Sequence, residues 1–216
     1  MSWQTPTDEE NDMSIIRTAD PKDSIVNDII NLEWDMFQTT QNIGGRASCQ
    51  DQFDMFYANR YSQHSIWQQD TLASYRSDLI TAGLTGRNMI TEKYGYMMEF
   101  TDPEYYNANL RDRLPALNEY KANLIAQIVS LEMVGYQTYS RQYPKLAGAG
   151  RPADQSGLDT SIRDYSVGEY KTYSEATLQL ILRDVKQMEN PVIRIQQNLV
   201  SFYGFKSLEE AEAAQK

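Results

Sequence analysis

In the stretch "SIVNDIINLEWDMF", Val26, Ile29, Ile30, Met36 and Phe37 return every three to four residues, and one acid, Glu33, stands among them. That spacing marks one face of an α-helix. Glu33 lies four residues after Ile29, three after Ile30 and four before Phe37, so burying this face buries its carboxylate. The conflict recurs on other segments. In "NMITEKYGYMMEF", Lys93 follows Met89 by four and Ile90 by three, and precedes Met97 by four. In "ANLIAQIVSLEMVGY", Glu132 is seven after Ile125, four after Ile128 and three after Val129. Arg60 is spaced four from Phe56 and seven from Trp67, with His64 one turn onward. A lone charge in an apolar interior is costly enough that it neutralises or finds a partner. A fold for this chain must bring these groups together or open a wet cavity beside them.

The rest of the chain keeps the helical period, with no convincing strand alternation and no long internal repeat. The expected fold is all-α, a single-domain helical bundle of six to eight helices over residues 20–206 with one long Gly/Pro-rich loop. A flexible acidic tail at 1–19 and a polar tail at 207–216 flank it. Asp20-Pro21 opens the first helix, with Asp as cap and Pro at the first helical position, and Gly44-Gly45 ends it. The pattern from Ser48 to about Thr81 is longer than an ordinary helix, so a break is expected near Asn59–Gln63. Only such a hairpin brings Glu33, Lys93 and Glu132 to the same end of the bundle. Asp102-Pro103 stops the next helix, and the most apolar one begins at Leu114-Pro115. Residues 138–168 read as the long loop, a lid or binding segment. The last two helices are "EYKTYSEATLQLILRDVKQM" and "PVIRIQQNLVSFYGF".

Bulk properties remove several function classes. A formal charge of −10 with no basic stripe argues against nucleic acid as a partner. No apolar run approaches the roughly 20 residues of a membrane span. The first residues, "MSWQTPTDEENDMSIIRTAD", have neither a basic start nor a hydrophobic stretch of the secretory kind, and one cysteine makes no internal disulfide. A cytoplasmic location is expected. Fifteen tyrosines and nine methionines suit a core with polar recesses, since Tyr pairs an apolar body with a polar tip and Met fills irregular gaps.

The turn "NIGGRASCQD" adds a second set of candidates. Gly44 or Gly45 would supply a left-handed cap, and Ser48 with Asp51 fits a capping box. Cys49 would then begin a helix, where the dipole lowers a thiol's pKa and makes it a candidate nucleophile. Arg46 and Arg87 could clamp a carboxylate or phosphate, with Asn88 capping the helix after the second glycine turn. The plainer readings are an inert cysteine and two salt bridges. Proton exchange falls to Glu33 and Glu132, stabilisation of negative charge to Lys93, and a hydroxyl donor to Tyr94. Arg46, Arg87, Arg60, His64 and Asn88 are the candidate substrate-binding residues.

No Gly-x-Gly-x-x-Gly, phosphate loop or zinc-spaced cysteine pair is present, and the single His64 cannot supply a di-iron bundle. No cofactor is expected. A carboxylate-bound divalent metal on Glu33, Glu132 and Glu92 or Glu99 is the minor alternative, with Asp51-x-x-Asp54 a weaker one.

The blocks "LEWDMF", "NIGGRASCQ", "SQHSIW", "TGRNMITEKYGYMME" and "LP", spanning about Leu32 to Pro115, resemble a bacterial family classed as a domain of unknown function. The resemblance implies bacterial origin and small-molecule chemistry, and some relatives are joined to a nucleotidyltransferase-like domain. It brings no catalytic residue with it. The leading expectation is an enzyme doing acid–base chemistry on a small polar or anionic molecule. The alternatives are a non-catalytic helical module, as a homodimer or a transferase's partner, and third a carboxylate–metal hydrolase. Closed salt bridges without a cavity would favour the module.

Overall fold

The computed structural model describes residues 16–18, 20–41, 45–154 and 160–215, and within them the chain forms eleven α-helices and no strand. The excess over six to eight comes from short helices in stretches that read as connections. Apart from residues 16–18, the expected acidic tail at 1–19 lies outside the described residues, as does Gly44.

Helix α1 (Pro21–Thr39) starts as its sequence dictates: the Asp20 carboxylate accepts from Lys22 N, and Asp23 returns a bond from Asp20 N. It does not end on a glycine. Thr40 turns extended with its N–H on the Phe37 carbonyl, and Gly45, at φ 89°, lies well beyond the helix end. A single 3-10 turn, Ser48–Asp51, follows. Ser48 therefore caps no α-helix, and Cys49 is not the first residue of one. Gln50 holds this turn instead, accepting from Ala47 N and donating to the Phe37 and Thr40 carbonyls.

Helices α2 (Phe53–His64) and α3 (Gln69–Leu84) form the expected hairpin, but the break falls at residues 65–68 rather than near Asn59–Gln63. Its cause is tertiary. Ile66 and Trp67 are buried, and Asp184 accepts from Gln68 N at 2.9 Å and from the Thr71 hydroxyl at 2.7 Å. Helix α3 closes with Gly86 at φ 73°, the Arg87 N–H on the Ala82 carbonyl and the Gly86 N–H on Gly83. Asn88 then caps α4 (Met89–Thr101) as expected, accepting from Thr91 N.

Beyond α4 come α5 (Pro103–Tyr105), a π turn, and α6 (Glu119–Gln142), which starts at the Asn118 cap rather than at Pro115. The expected loop at 138–168 is mostly helical among its described residues; 155–159 lie outside them. Helix α6 continues to Gln142 because Tyr139 is buried, and it stops before Pro144. Helix α7 (Pro144–Gly148) and α8 (Ile162–Tyr170) follow, the latter opened by a Ser161–Asp164 capping box. Helices α9 (Glu175–Gln187) and α10 (Pro191–Phe202) match the two final segments, except that Ser174 starts α9 afresh. The supposed polar tail at 207–216 carries α11 (Leu208–Ala214), anchored by buried Leu208 and Ala211.

Helix α4 packs on α8, α1 on α3, and α6 on α9. The main apolar cluster fills the space between these pairs, and a smaller one, around Tyr136, Tyr139, Leu146 and Val200, joins α6, α7, α10 and α11. Among the described residues no helix is long and apolar enough to cross a membrane.

Candidate functional site

Of the four charges that sequence spacing turned inward, Glu33, Arg60 and Lys93 are buried and joined in one network, and Glu132 stands apart from it. Glu33 on α1 is wholly enclosed, with Arg60 of α2 bonding it through Nε at 2.7 Å and through Nη2. The other face of the guanidinium meets Glu169 on α8, Nη2 to Oε1 at 2.9 Å and Nη1 to Oε2 at 3.1 Å, while Nη1 also donates to Gln63 at 2.8 Å. All five Arg60 donors are thereby used. Glu169 passes the chain on to Lys93 of α4, whose Nζ donates to its Oε2 at 2.8 Å and also to the Tyr165 hydroxyl. Two carboxylates and two cations thus alternate across four helices, which removes the cost of leaving any one of them alone.

Hydroxyls and amides saturate what remains. Tyr75 donates to Glu33 at 2.6 Å, and Tyr173 and Gln63 donate to Glu169 at 2.7 and 3.0 Å. His64 Nε2 lies 3.1 and 3.2 Å from the Glu33 oxygens; since an ionised carboxylate only accepts, that nitrogen carries the proton. Its buried Nδ1 has no partner among the described residues. Burial alone would raise the Glu33 pKa, but Arg60 and His64 outweigh it and hold it at about 2. Burial is likewise overcome at Glu169, where Arg60 and Lys93 hold the carboxyl well below its usual range. Burial disfavours the Lys93 ammonium, yet Glu169 leaves its pKa raised.

Glycine makes the α4–α8 part of this geometry possible. A Cβ at Gly168 would come 2.7 Å from Met97 Cγ and 3.1 Å from the Lys93 carbonyl oxygen. Without it, α8 lies against the α4 backbone, and Glu169 on the next residue reaches Lys93.

Glu132 behaves differently. Among the described residues it meets no cation; the Tyr170 hydroxyl donates to it, and Ser166 bonds to it as well. Burial lifts its carboxyl to about 7, opposed by those two hydroxyls and reinforced by the negative charge of Glu169. The residue is only partly buried, but its carboxyl faces a cleft rather than the outer surface. That cleft has a volume of about 690 Å³, inside the roughly 300–1,000 Å³ typical of small-molecule sites. Its polar lining includes Arg60, Lys93, Glu132, Tyr165 and Glu169, and its apolar lining Phe37, Phe56, Ile162, Val192 and Leu199. Tyr94 and Cys49 also line it, and burial raises the Tyr94 pKa to about 12, with Tyr165 adding to the effect.

The other sequence candidates lie elsewhere. Arg46 is spent on Asp51 at 2.8 and 2.9 Å, on the Gln38 side chain and on the Gln50 carbonyl. Arg87 grips Glu92 through two bonds of 2.8 and 2.6 Å. Neither lines the cleft, so the plainer reading of both, salt bridges, describes what they do. Asn88 ties the start of α4 to the end of α1 through the Met36 carbonyl and Thr39. His64 and Glu33 sit behind Arg60, outside the cleft lining. Of the carboxylates considered for a metal, Glu92 faces Arg87 and Glu99 faces Lys171. Among the described residues no three His, Cys, Asp or Glu side chains gather as a metal ion would require.

Sequence reasoning missed Glu169, Tyr165, Ser166 and Tyr170, all on α8. Their i, i+1, i+4, i+5 spacing and the Ser161–Asp164 box were readable, but the glycines before them suggested a loop up to 168 that took in Tyr165 and Ser166 and left Glu169 and Tyr170 as the start of the next helix.

A family model described as a protein of unknown function, DUF4125, matches residues 23–213, and the chain belongs to that family. The match extends well past the Leu32–Pro115 blocks and includes α8. No curated protein and no solved structure matches the chain.

Proposed function

We propose that the chain, as a member of this family, is an enzyme that moves a proton on a small polar or anionic molecule held in the cleft between α2, α4, α6 and α8. The observation that carries this reading is Glu132, a carboxyl near neutrality with no cation beside it, opening on a cavity of about 690 Å³. A group with a pKa close to the working pH is present in both states and exchanges protons with little driving force wasted. Lys93, kept charged by Glu169 and backed by Tyr165, supplies the positive charge that an enolate, alkoxide or carboxylate developing nearby would need. Tyr94 offers a further hydroxyl from the cleft wall.

Glu33 takes a different part from Glu132. A carboxylate at about 2 whose oxygens accept from Arg60, Tyr75 and His64 is a poor proton carrier. It anchors Arg60, which anchors Glu169, which orients Lys93. The rival reading, a non-catalytic module, pictured closed salt bridges without a cavity; the network is closed, but the cleft beside it is not accounted for.

A thermal-shift screen of small metabolites at pH 6 and pH 8, on the wild type and on Glu132→Gln, tests the proposal. A ligand that stabilises both proteins but is turned over only by the wild type supports it. Equal turnover by Glu132→Gln removes Glu132 from the chemistry.

A further inference from the structure

We infer that the cleft recognises an organic anion with an apolar body, its carboxylate or phosphate held by Arg151 and Lys93 about the ring of Tyr165 and its body against the Phe37–Phe56–Tyr94 wall. This deepens the acid–base reading of the same cleft by naming its ligand class, though the binding step itself does not depend on Glu132.

Arg151 lies in the connection between α7 and α8 and lines the cleft. Its guanidinium carbon is 5.4 Å from the Tyr165 ring centroid, and Lys93 Nζ is 3.7 Å from the same centroid. Unlike Arg46, Arg60 and Arg87, its side chain makes no ion pair and no hydrogen bond among the described residues. Its backbone is tied in place by the Tyr136 hydroxyl, which donates to the Arg151 carbonyl oxygen at 3.4 Å. A planar, permanently charged fork parked on an aromatic ring at a cavity wall is suited to a carboxylate or phosphate.

The rest of the cleft favours an anion by elimination. Arg60 has no donor left, and both Glu169 oxygens are already engaged. Donor capacity stays unspent in the Arg151 guanidinium, the third Lys93 proton and the Tyr94 hydroxyl. Glu132, neutral or half-ionised near pH 7, adds little opposing charge. Elsewhere in the lining, Phe37 and Phe56 stack with centroids 5.4 Å apart at 14°, and Phe37 meets the Tyr94 ring at 6.4 Å. An aliphatic or aromatic body would bury itself there. The chain carries a formal charge of −10, so its long-range field repels polyanions. A small anion that enters the cleft sees the local cations instead.

Fluorescence titration with anilinonaphthalene sulfonate, an aromatic anion, and with the neutral N-phenyl-naphthylamine tests this on the intact chain. Arg151→Gln removes a cation with no internal partner, so the fold should persist, and a circular-dichroism melt checks that it does. The sulfonate should then bind about tenfold more weakly, with the neutral probe unchanged. Phenylacetate and phenyl phosphate should displace the sulfonate from the wild type where benzyl alcohol does not. The stronger of the two competitors identifies the head group as carboxylate or phosphate. No sulfonate binding, equal losses for both probes, an unaltered Arg151→Gln, or displacement by benzyl alcohol would each overturn the inference. Glu132→Gln, titrated alongside, separates the two proposals: normal sulfonate binding with no change in turnover ends the acid–base reading and leaves the anion site standing.

Discussion

Replacing Glu132 by Gln should stabilise the protein at and above neutral pH and lose that advantage in mild acid. The carboxyl titrates near its ordinary 4.5 when the chain is unfolded and near 7 when folded. Between those values the folded state binds the extra proton, so stability falls as pH rises through this window. A displacement of that size corresponds to roughly 3 kcal/mol, fully present below about pH 4.5 and gone above about pH 7. Gln mimics the neutral acid, still accepts from the Tyr170 hydroxyl and does not titrate. Any fixed cost of the amide shifts its stability equally at every pH, so the pH dependence of the difference is diagnostic. Urea unfolding of both proteins, followed by circular dichroism from pH 4.5 to 8.5, measures it. The difference in unfolding free energy, mutant minus wild type, should climb by roughly 3 kcal/mol across the window. A flat difference would mean that Glu132 is an ordinary carboxylate, and the reasoning from burial without a cation would fail.

Two other perturbations probe the network behind the cleft. Arg60→Met strands two buried carboxylates at once and should cost about 3–5 kcal/mol, read as a lower urea midpoint. Lys93→Met should cost less, because Glu169 keeps Arg60, Gln63 and Tyr173; the reverse order would displace Arg60 from the centre of the network. Glu33, held at about 2 against an ordinary 4.5, should give the wild type a loss of roughly 3 kcal/mol as pH falls from 4.5 toward 2. Glu33→Gln, although less stable throughout, should lack Glu33's share of that acid limb in a urea series extended from pH 4.5 down to pH 2.

Much of the architecture could be read from the sequence because local chemistry and burial agree. Asp20-Pro21, Asn88 and Asn190-Pro191 start helices where cap rules place them. The failures came where a distant residue decides. The α2–α3 break carries neither Gly nor Pro, because Asp184, more than a hundred residues away, satisfies the exposed N–H of Gln68. The ends of α1 and α6 ran against the punctuation rule in opposite directions: Thr40 stops α1 before any glycine, and buried Tyr139 carries α6 through a polar stretch.

The site was half legible for a related reason. Spacing identifies which side chains must leave water, and Glu33, Arg60, Lys93 and Glu132 did. It does not say what each one meets, and that decides its charge. Glu33 and Glu132 look alike in sequence, each an acid on an apolar helical stripe. One faces a guanidinium and stays ionised at about 2; the other faces two hydroxyls and rises to about 7. The residue that separates them is Glu169, which draws Arg60 and Lys93 together and leaves no cation for Glu132. It read as the first residue of the following helix, beside the supposed loop at 138–168, where no apolar stripe frames it, so the partner that fixes the protonation of the cleft was hidden from periodicity. The arginines misled for the complementary reason. Arg46 and Arg87 each precede an acid by five residues, and Asp51 and Glu92 occupy them before a ligand can. Arg151, with no such acid in contact among the described residues, keeps its guanidinium free at the cleft to meet an anion.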